Sequence, residues 1–343
     1  MINKTLLQEM IENDYVNVNK HPTHDLFIYN YTPKAQYDRV WNEVTLMCRG
    51  LILDGQNNIV ARPFAKFFNL GEMENQVIPN EPFEVFDKLD GSLGILYWLE
   101  NEAFIATRGS FVSDQAVVAN RILQSKYADI LRGGLDKSKT YLFEIIYPEN
   151  RIVVDYGGLE DLILIAIIDN ETGADLPLES MGFPMVTRFD GIKDISTLKT
   201  LEEANREGFV IKYKNGLRYK VKFEEYLRIH RIVTQVSNIN IWEYLMTEMP
   251  FDEILDRVPD EFYDWVKATS ADLQAQFAAI EAQCQADFKV FDTRKEAAFY
   301  FQTCAYPSVL FKMLDGKSYK EVIWRLIRPS FQKPFSQKMK EEI

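Results

Sequence analysis

Short hydrophobic runs separated by polar turn residues dominate the chain from about residue 50 to residue 222. β-branched and aromatic residues fill these runs, and Gly, Asn, Asp and Pro lie between them, a pattern typical of strands joined by turns. One helical segment, 113–131, interrupts the pattern, and its apolar residues share one face only loosely. We therefore predict antiparallel sheets with a few helices, an α+β domain. The runs are 50–53, 94–98, 103–107, 141–146, 162–168 and 208–213.

Beyond about residue 228 the spacing of apolar residues becomes helical. A stripe with intervals of four, three, four and four residues is formed by Leu273, Phe277, Ile280, Cys284 and Phe288, which places them on one side of a helix. Three pairs with capping-box spacing predict helix starts: Thr269 with Asp272, Thr293 with Glu296, and Ser318 with Glu321. We predict a sheet-containing domain over 1–235 and an all-helical domain over 236–343.

The charge of the chain limits how it contacts nucleic acid. A net charge of -12 over 343 residues argues against a protein that coats nucleic acid through a general basic field. Lys and Arg outnumber Asp and Glu in the stretch 312–340. This stretch is either a phosphate-contacting patch or a solvated helix face with a frayed tail.

Membrane and metal signals are weak. The longest apolar run, 162–168, is too short to cross a bilayer, and the first residues lack the features of a signal peptide, so we expect a cytoplasmic protein with no membrane partner. Cys48, Cys284 and Cys304 are widely spaced, so we expect reduced, mostly buried thiols. His21 and His24 have no cysteine or third histidine nearby, and we expect no zinc site.

The first candidate for chemistry is the turn Lys88-Leu89-Asp90-Gly91-Ser92 between two strand-like runs. Gly91 permits a tight turn that exposes the lysine at a strand end, a place suited to a nucleophile. Alone, the pattern is weak, because Lys, Asp and Gly are common in any surface turn.

Further short signals accompany this turn in a fixed order. Upstream lie Arg49-Gly50 and a segment that contains Lys66-Phe67-Phe68-Asn69; downstream lie Thr107-Arg108-Gly109-Ser110, Phe143-Glu144, Glu207-Gly208-Phe209-Val210-Ile211-Lys212 and Lys220-Val221-Lys222. Over about 49–226 the chain resembles the covalent nucleotidyltransferases, which include polynucleotide ligases and mRNA capping enzymes, and most closely the phage-type RNA ligase 1 family. In that family these segments are motifs I, Ia, III, IV and V.

The resemblance implies a fold and a set of roles. The fold is a nucleotidyltransferase domain, similar to that of ATP-grasp-like ligases, followed by a helical domain. Lys88 is the nucleophile that takes AMP from ATP, with Lys220 and Lys222 as catalytic cations. Nucleotide contacts fall to Arg49, Lys66, Asp90, Arg108, Glu144 (to the ribose) and Tyr226 (against the adenine). Glu207 helps to hold Mg²⁺, with Mn²⁺ as an alternative. The family often has Lys where this chain has Arg108, so the contact made by that side chain stays open.

The residue types suit this chemistry, although each has a plainer explanation. A lysine amine needs desolvation or nearby positive charge to become nucleophilic. Lys220 and Lys222 are two residues apart, so in a strand both point to one face, as they also would on a solvated strand. Glu144 lies in an apolar run, where a carboxylate is costly without a partner. Tyr226 is equally compatible with an ordinary core position.

The expected activity is ATP-dependent ligation of RNA ends, in RNA (tRNA) repair, by a monomer. Three steps are implied: self-adenylation of Lys88, transfer of AMP to a 5′-phosphate, and attack by a 3′-hydroxyl. A DNA ligase or a GTP-dependent capping enzyme is the nearest alternative, but both usually continue into a small β-barrel, whereas this chain continues into helices. A non-catalytic nucleotide-binding or RNA-binding relic is a further alternative, although no residue of the set is missing.

Overall fold

The structure, a computed structural model, describes residues 2–73, 76–234, 237–249 and 263–330. The chain divides into two compact units, Met1–Val233 and Thr234–Ile343.

The first unit begins with an antiparallel sheet in the order β1-β2-β3-β4. Its helices pack apolar residues such as Leu7, Met10 and Val44 against Leu51 and Leu53 of β3. Helix α1 begins where the Asn3 side chain accepts a hydrogen bond from the Leu6 amide at 3.1 Å, the expected N-cap contact. The elements are α1 (Lys4–Glu12), β1 (Val16–Lys20), β2 (Leu26–Tyr31), α2 (Pro33–Tyr37), α3 (Glu43–Met47), β3 (Arg49–Asp54) and β4 (Ile59–Ala61).

Two further sheets build the rest of this unit. One has the order β12-β6-β13-β14-β5, and the other has the order β11-β10-β9-β7-β8. Neighbouring strands are antiparallel except β14 with β5. The strands are β5 (Phe68–Asn69), β6 (Phe83–Lys88), β7 (Ser92–Leu99), β8 (Glu102–Ala106), β9 (Lys139–Ile146), β10 (Asp161–Asp169), β11 (Asp175–Leu176), β12 (Arg188–Phe189), β13 (Gly208–Tyr213) and β14 (Arg218–Lys222).

The strand predictions are confirmed, and the connection between the two sheets positions the candidate chemistry. Each predicted hydrophobic run falls within or overlaps one of β3, β7, β8, β9, β10 and β13. Strand β6 ends at Lys88 and strand β7 begins at Ser92, so the turn between them passes from one sheet to the other. The mixture of helices and antiparallel sheets confirms the α+β class.

The helix predicted over 113–131 is present but divided into α4 (Asp114–Lys126) and α5 (Ala128–Gly133). Ser113 caps α4 by accepting from the Ala116 amide at 3.2 Å. Tyr127 separates the two helices because its backbone leaves the helical conformation, and its hydroxyl donates to the Asp161 carboxylate. Together with residues of β9 and β10, α4 encloses a core that includes Leu123 and Phe143.

Helix α6 (Glu224–Thr234) follows β14, and the described part of the second unit contains α7 (Asn238–Thr247), α8 (Tyr263–Asp287), α9 (Arg294–Phe301), α10 (Pro307–Leu314) and α11 (Lys320–Leu326). The apolar stripe is confirmed on α8, where Leu273, Ile280 and Cys284 are buried. Among the described residues, no helix is both long and apolar enough to span a membrane.

One of the three predicted caps is confirmed. Thr293 caps α9 by accepting from the Glu296 amide at 3.3 Å. Thr269 lies inside α8 rather than at its start, because a helix that begins at Tyr263 already continues through it. Ser318 is also not a cap, since α11 begins after Tyr319 without a side-chain cap. Both predictions were wrong because a capping spacing alone does not require the chain to start a helix there.

Candidate active site

The side chain of Lys88 meets a carboxylate that comes from a different strand. Lys88 Nζ lies 2.7 Å from Glu207 Oε2, and Lys222 Nζ lies 3.3 Å from Glu207 Oε1. The Glu207 side chain is only 3% exposed. The register explains the meeting, because Gly208 of β13 pairs with both Lys88 of β6 and Lys222 of β14. The structure therefore brings these three predicted residues together around one carboxylate.

Gly208 is required at this point by its backbone. Its φ angle is +148°, and a Cβ atom there would lie 2.0 Å from the Val221 carbonyl oxygen. Only glycine adopts such a conformation without strain. The glycine of the Glu207-Gly208 motif thus allows β13 and β14 to approach closely enough for Glu207 to contact Lys222.

A cavity of about 530 Å³ opens beside the Lys88 turn. Five of the predicted site residues line it: Arg49, Lys88, Arg108, Glu144 and Lys220. Its volume is in the range of ordinary small-molecule sites. The side chains of β14 alternate as predicted: Tyr219 and Val221 are buried in the core, which leaves Lys220 and Lys222 on the other face.

Glu144 reaches the turn from the second sheet. Its Oε1 accepts a hydrogen bond from the Gly91 amide at 3.0 Å. A Cβ atom on Gly91 would lie 2.6 Å from the Ile145 carbonyl oxygen, so this close approach also depends on glycine. Burial raises the pKa of Glu144 to about 7, against the opposing effects of Lys88 and Arg49. The carboxyl group is therefore close to half-protonated at neutral pH.

Asp90 lies behind the turn rather than in the cavity. Its Oδ2 accepts from the Val153 and Val154 amides at 2.8 and 2.9 Å, and its Oδ1 accepts from the Tyr226 hydroxyl at 2.9 Å. Tyr226 is buried in the core of the sheet that contains β13. Its ring is not among the residues that line the cavity, and Lys222 Nζ lies 5.5 Å from the ring centre. The contact of Tyr226 with adenine stays a prediction.

Lys66 is also set back from the cavity lining. It is 5% exposed, and its Nζ donates to Gln36 Oε1 at 3.3 Å. The ammonium lies 5.4 Å from the centre of the Tyr31 ring and at similar distances from two other aromatic rings. On the same tyrosine, Arg108 Nη1 donates to the hydroxyl at 3.2 Å. Lys66 is thus connected to the cavity through Tyr31 and Arg108.

Several residues that contact the Lys88 turn or the segments next to it were not found from the sequence. The Tyr156 hydroxyl accepts from the Asp90 amide at 2.7 Å. Arg206 Nη2 donates to Asp87 Oδ1 at 2.7 Å, and Asn205 bonds to the backbone of Asp155. Arg206 had one weak signal, its position next to Glu207. Tyr156 had none, because its partner is a backbone amide 66 residues away.

The basic stretch predicted over 312–340 is described only in part. Arg325 Nη2 lies 2.5 Å from Glu321 Oε1, and the Arg328 guanidinium lies over the Trp242 ring at 5.3 Å. Lys320 pairs with Glu248 at 2.8 Å. Lys312 and Lys317 lie within the described residues, whereas Lys333, Lys338 and Lys340 lie outside them.

The donor set around Glu207 suits a cation that is bound partly by substrate. Nowhere in the described ranges do three or more His, Cys, Asp and Glu side chains gather as a metal site. Mg²⁺, however, is usually held by one or two carboxylates together with phosphates and waters. The buried Glu207 carboxylate, next to the cavity-lining Lys88, fits that mode of binding.

The resemblance to covalent nucleotidyltransferases predicts a lysine at a strand end, with two carboxylates beside it and several cations around one cavity. The structure shows this arrangement. Residues 47–227, more than half of the chain, match the family model described as RNA ligase. The chain therefore belongs to this RNA ligase family, of the phage RNA ligase 1 type. The family indicated by the ordered motifs is confirmed.

Two curated relatives are similar over part of their length. The chain is 28% identical over 276 residues to a protein named bifunctional polynucleotide kinase/RNA ligase from Autographa californica nuclear polyhedrosis virus. This similarity covers 71% of this chain and 39% of that protein. It is also 32% identical over 208 residues to a protein named RNA ligase from Thermovibrio ammonificans. That similarity covers 56% of this chain and 54% of the relative. The chain thus spans about half or less of the length of these relatives.

Among solved structures, a variant of a Naegleria gruberi RNA ligase with ATP and Mn is 21% identical, with a TM-score of 0.36. The similarity covers 43% of this chain and 51% of that chain.

Proposed function

We propose that this chain is an ATP-dependent RNA ligase that joins a 5′-phosphate to a 3′-hydroxyl through a lysyl-AMP intermediate on Lys88. The observation that carries the proposal is the location of Lys88. Its Nζ lies 2.7 Å from the buried carboxylate of Glu207, and the same lysine lines a cavity with Arg49, Arg108 and Lys220. Membership of an RNA ligase family supports the same activity.

In the first step the deprotonated amine of Lys88 attacks the α-phosphorus of ATP. The N–P bond forms as the bond from that phosphorus to the bridging oxygen breaks, and pyrophosphate leaves with the electron pair. Positioning and cations on the phosphate oxygens are the main sources of catalysis in such a transfer. Arg49, Lys220 and Lys222 supply cations here. Glu207, whose Oε2 lies 2.7 Å from the Lys88 nitrogen, orients the amine and accepts the proton that the nitrogen releases. Glu144 takes the ribose, Asp90 shapes the turn, and Lys66 and Tyr226 contribute from behind the cavity wall.

A divalent cation, Mg²⁺ or alternatively Mn²⁺, would be held near Glu207 and would neutralise charge on the phosphates when bound. The buried Glu207 carboxylate beside Lys88 supplies an oxygen ligand of the kind that holds such a cation together with nucleotide phosphates. Omitting the metal should abolish adduct formation, and Mg²⁺ and Mn²⁺ should each restore it.

In the later steps AMP passes to the 5′-phosphate of an RNA, and a 3′-hydroxyl then displaces AMP to form the phosphodiester bond. The viral relative is named as a kinase joined to an RNA ligase, and a polynucleotide kinase produces 5′-phosphate ends. We therefore propose single-stranded RNA ends, including those of a broken tRNA loop, as substrates in RNA repair.

Labelled ATP tests the lysine directly. With a divalent metal the native protein should acquire one covalent AMP, and Lys88→Arg should acquire none although it keeps the charge. Lys20→Ala is the control, because Lys20 is an exposed lysine paired with Asp25, and it should label as the native protein does. An adduct that persists in Lys88→Arg would remove Lys88 from this role.

Substrate choice needs a separate assay. Single-stranded RNA with a 5′-phosphate should be sealed faster than nicked duplex DNA, and ATP should be used in preference to GTP. Exclusive sealing of DNA would identify a DNA ligase, and labelling by GTP alone would identify a capping-type transferase.

We further propose that the nucleotidyltransferase fold over 1–235 carries these steps and that an all-helical domain over 236–343 contributes to RNA binding. The expected monomer and the cytoplasmic location remain predictions. Size-exclusion chromatography with light scattering tests the first of these.

A further inference from the structure

Two segments, one outside the recognised motifs and one that ends at the Glu207 motif, hold the turn that carries Lys88. The first is 150–156, which follows β9, and the second is 205–207, which precedes β13. Both lie in the first unit, and both contact backbone or side-chain groups of residues 87–92.

The first segment satisfies polar groups on one side of the turn. Its Val153 and Val154 amides donate to Asp90 Oδ2 at 2.8 and 2.9 Å. The Tyr156 hydroxyl accepts from the Asp90 amide at 2.7 Å. Asn150 Nδ2 lies 3.0 Å from Ser92 Oγ. Asp90 is 4% exposed, so a carboxylate and an amide at this depth depend on these partners.

The second segment reaches the strand before the turn and also the first segment. Arg206 Nη2 donates to Asp87 Oδ1 at 2.7 Å, immediately before Lys88. The Asn205 side chain accepts from the Asp155 amide at 2.7 Å and donates to the Asp155 carbonyl at 2.8 Å. Glu207, the next residue, contacts Lys88 itself. The three successive residues 205–207 therefore contact Asp155 of the first segment, Asp87 and Lys88, respectively.

We propose that these contacts form a clamp that fixes the Lys88 amine for attack, with Tyr156 and Arg206 as positioning residues of the first chemical step. Neither side chain is placed on the nucleotide: Tyr156 acts through the Asp90 backbone and Arg206 acts through Asp87. The clamp deepens the proposed ligase function and rests on it. Burial also raises the pKa of the Tyr156 hydroxyl, so it stays neutral while it accepts the hydrogen bond from the Asp90 amide.

The clamp should affect the rate of lysyl-AMP formation but not the rate of the final sealing step. Formation of lysyl-AMP needs the amine in line with the departing pyrophosphate, and a displacement of about 1 Å can cost roughly 100-fold in rate. Sealing of RNA whose 5′ end already carries AMP does not use the Lys88 amine as a nucleophile. A residue that only supports the fold would affect both steps together.

The test compares single-turnover rates of these two steps. Tyr156→Phe removes only the hydroxyl, and Arg206→Met removes the ion pair but keeps an apolar stem over the neighbouring aromatic rings. Each should slow lysyl-AMP formation about 10- to 100-fold, with a change in KM for ATP below about threefold. Sealing of pre-adenylated RNA should stay within about twofold of the native rate.

Matched controls carry the same chemistry away from the turn. Tyr141 is a buried tyrosine whose hydroxyl also accepts a backbone amide, from Asp136 at 3.1 Å, so Tyr141→Phe should leave lysyl-AMP formation unchanged. Arg121 makes a two-bond ion pair with Glu160 at 2.9 Å, so Arg121→Met should behave likewise.

Three results decide the matter. Native rates of lysyl-AMP formation in Tyr156→Phe and Arg206→Met would overturn the clamp, as would equal losses in both steps. A native protein that forms no lysyl-AMP at all would instead defeat the proposed function, which keeps the two failures apart.

Discussion

Glu207 forms ion pairs with two lysines at once. Lys88 Nζ lies 2.7 Å from its Oε2, and Lys222 Nζ lies 3.3 Å from its Oε1. The carboxylate is almost wholly buried, so it balances two positive charges in a place where water screens little. This relationship makes Glu207 important for stability as well as for the proposed chemistry.

Glu207→Gln should therefore destabilise the apo protein. The substitution removes the negative charge that both ammonium groups contact, and breaking a buried ion pair costs about 3 kcal/mol. Urea denaturation measures this change in the free energy of unfolding. The exposed pair of Glu248 and Lys320 provides the control, because water screens it and Glu248→Gln should change the free energy of unfolding far less. Similar losses in both variants would contradict the prediction.

Gly208→Ala should destabilise the first unit by about 4 kcal/mol, at the severe end for a single substitution. The reason is the φ angle of +148° and the 2.0 Å approach of a Cβ to the Val221 carbonyl. Gly216 also has a positive φ, +87°, but open space around it, so Gly216→Ala should cost only about 1–2 kcal/mol. Thermal unfolding of the two variants gives the comparison, and equal effects would count against it.

The stability of the protein should depend on pH through Glu144, whose pKa burial raises from 4.5 to about 7. Below pH 4.5 the group is protonated in both folded and unfolded states. Between pH 4.5 and about 7 the group ionises in the unfolded state but stays protonated in the buried folded site, so the free energy of unfolding falls by about 3 kcal/mol in total and then levels off.

Glu144→Gln removes this effect because an amide does not titrate. The native protein should lose stability relative to this variant as the pH rises from about 4.5 to about 7, as measured by urea unfolding at each pH. The control, Glu160→Gln, should show the opposite trend, because Arg121 lowers the pKa of Glu160 and its contribution is lost as pH falls. A pH-independent difference for Glu144→Gln would show the carboxyl to be ordinary.

Tyr226 offers a choice between two roles that one variant separates. If its ring stacks on adenine, Tyr226→Phe keeps that contact and should adenylate normally. If its role is the 2.9 Å hydrogen bond to Asp90, the phenylalanine loses it. We expect the second outcome, a fall of about tenfold in the rate of lysyl-AMP formation, consistent with about 1.4 kcal/mol for the lost hydrogen bond.

RNA binding by the second unit is tested with Arg325→Ala and Arg328→Ala. If these cations contact phosphates, the double variant should bind RNA more weakly and with a shallower salt dependence. Self-adenylation should be unchanged, since it needs no RNA. Arg294, which pairs with Asp315, gives the control variant Arg294→Ala. Unchanged RNA affinity in the double variant would favour the plainer explanation of a solvated helix face.

The sequence alone predicted the strands, the family and most residues of the candidate site. The runs that became β7, β9 and β13 are strongly apolar and bounded by turn residues, so local pattern determined them. The alternation along Lys220-Val221-Lys222 likewise fixed which side chains share a face. Capping spacings at Thr269 and Ser318 failed because they describe only four residues, whereas a helix start depends on how a longer segment packs.

The tertiary structure decided which of the site residues meet, and how. Lys88 and Glu207 touch because antiparallel pairing of β6 and β13 aligns positions far apart in the chain, and no local pattern specifies that register. The same holds for Tyr156 and Arg206, whose partners are a distant backbone amide and a distant carboxylate. Lys66 and Tyr226 have the residue types expected of nucleotide contacts, yet packing buries both behind the cavity. Residue type and order are properties of the sequence, whereas contact and burial arise only when distant segments pack together.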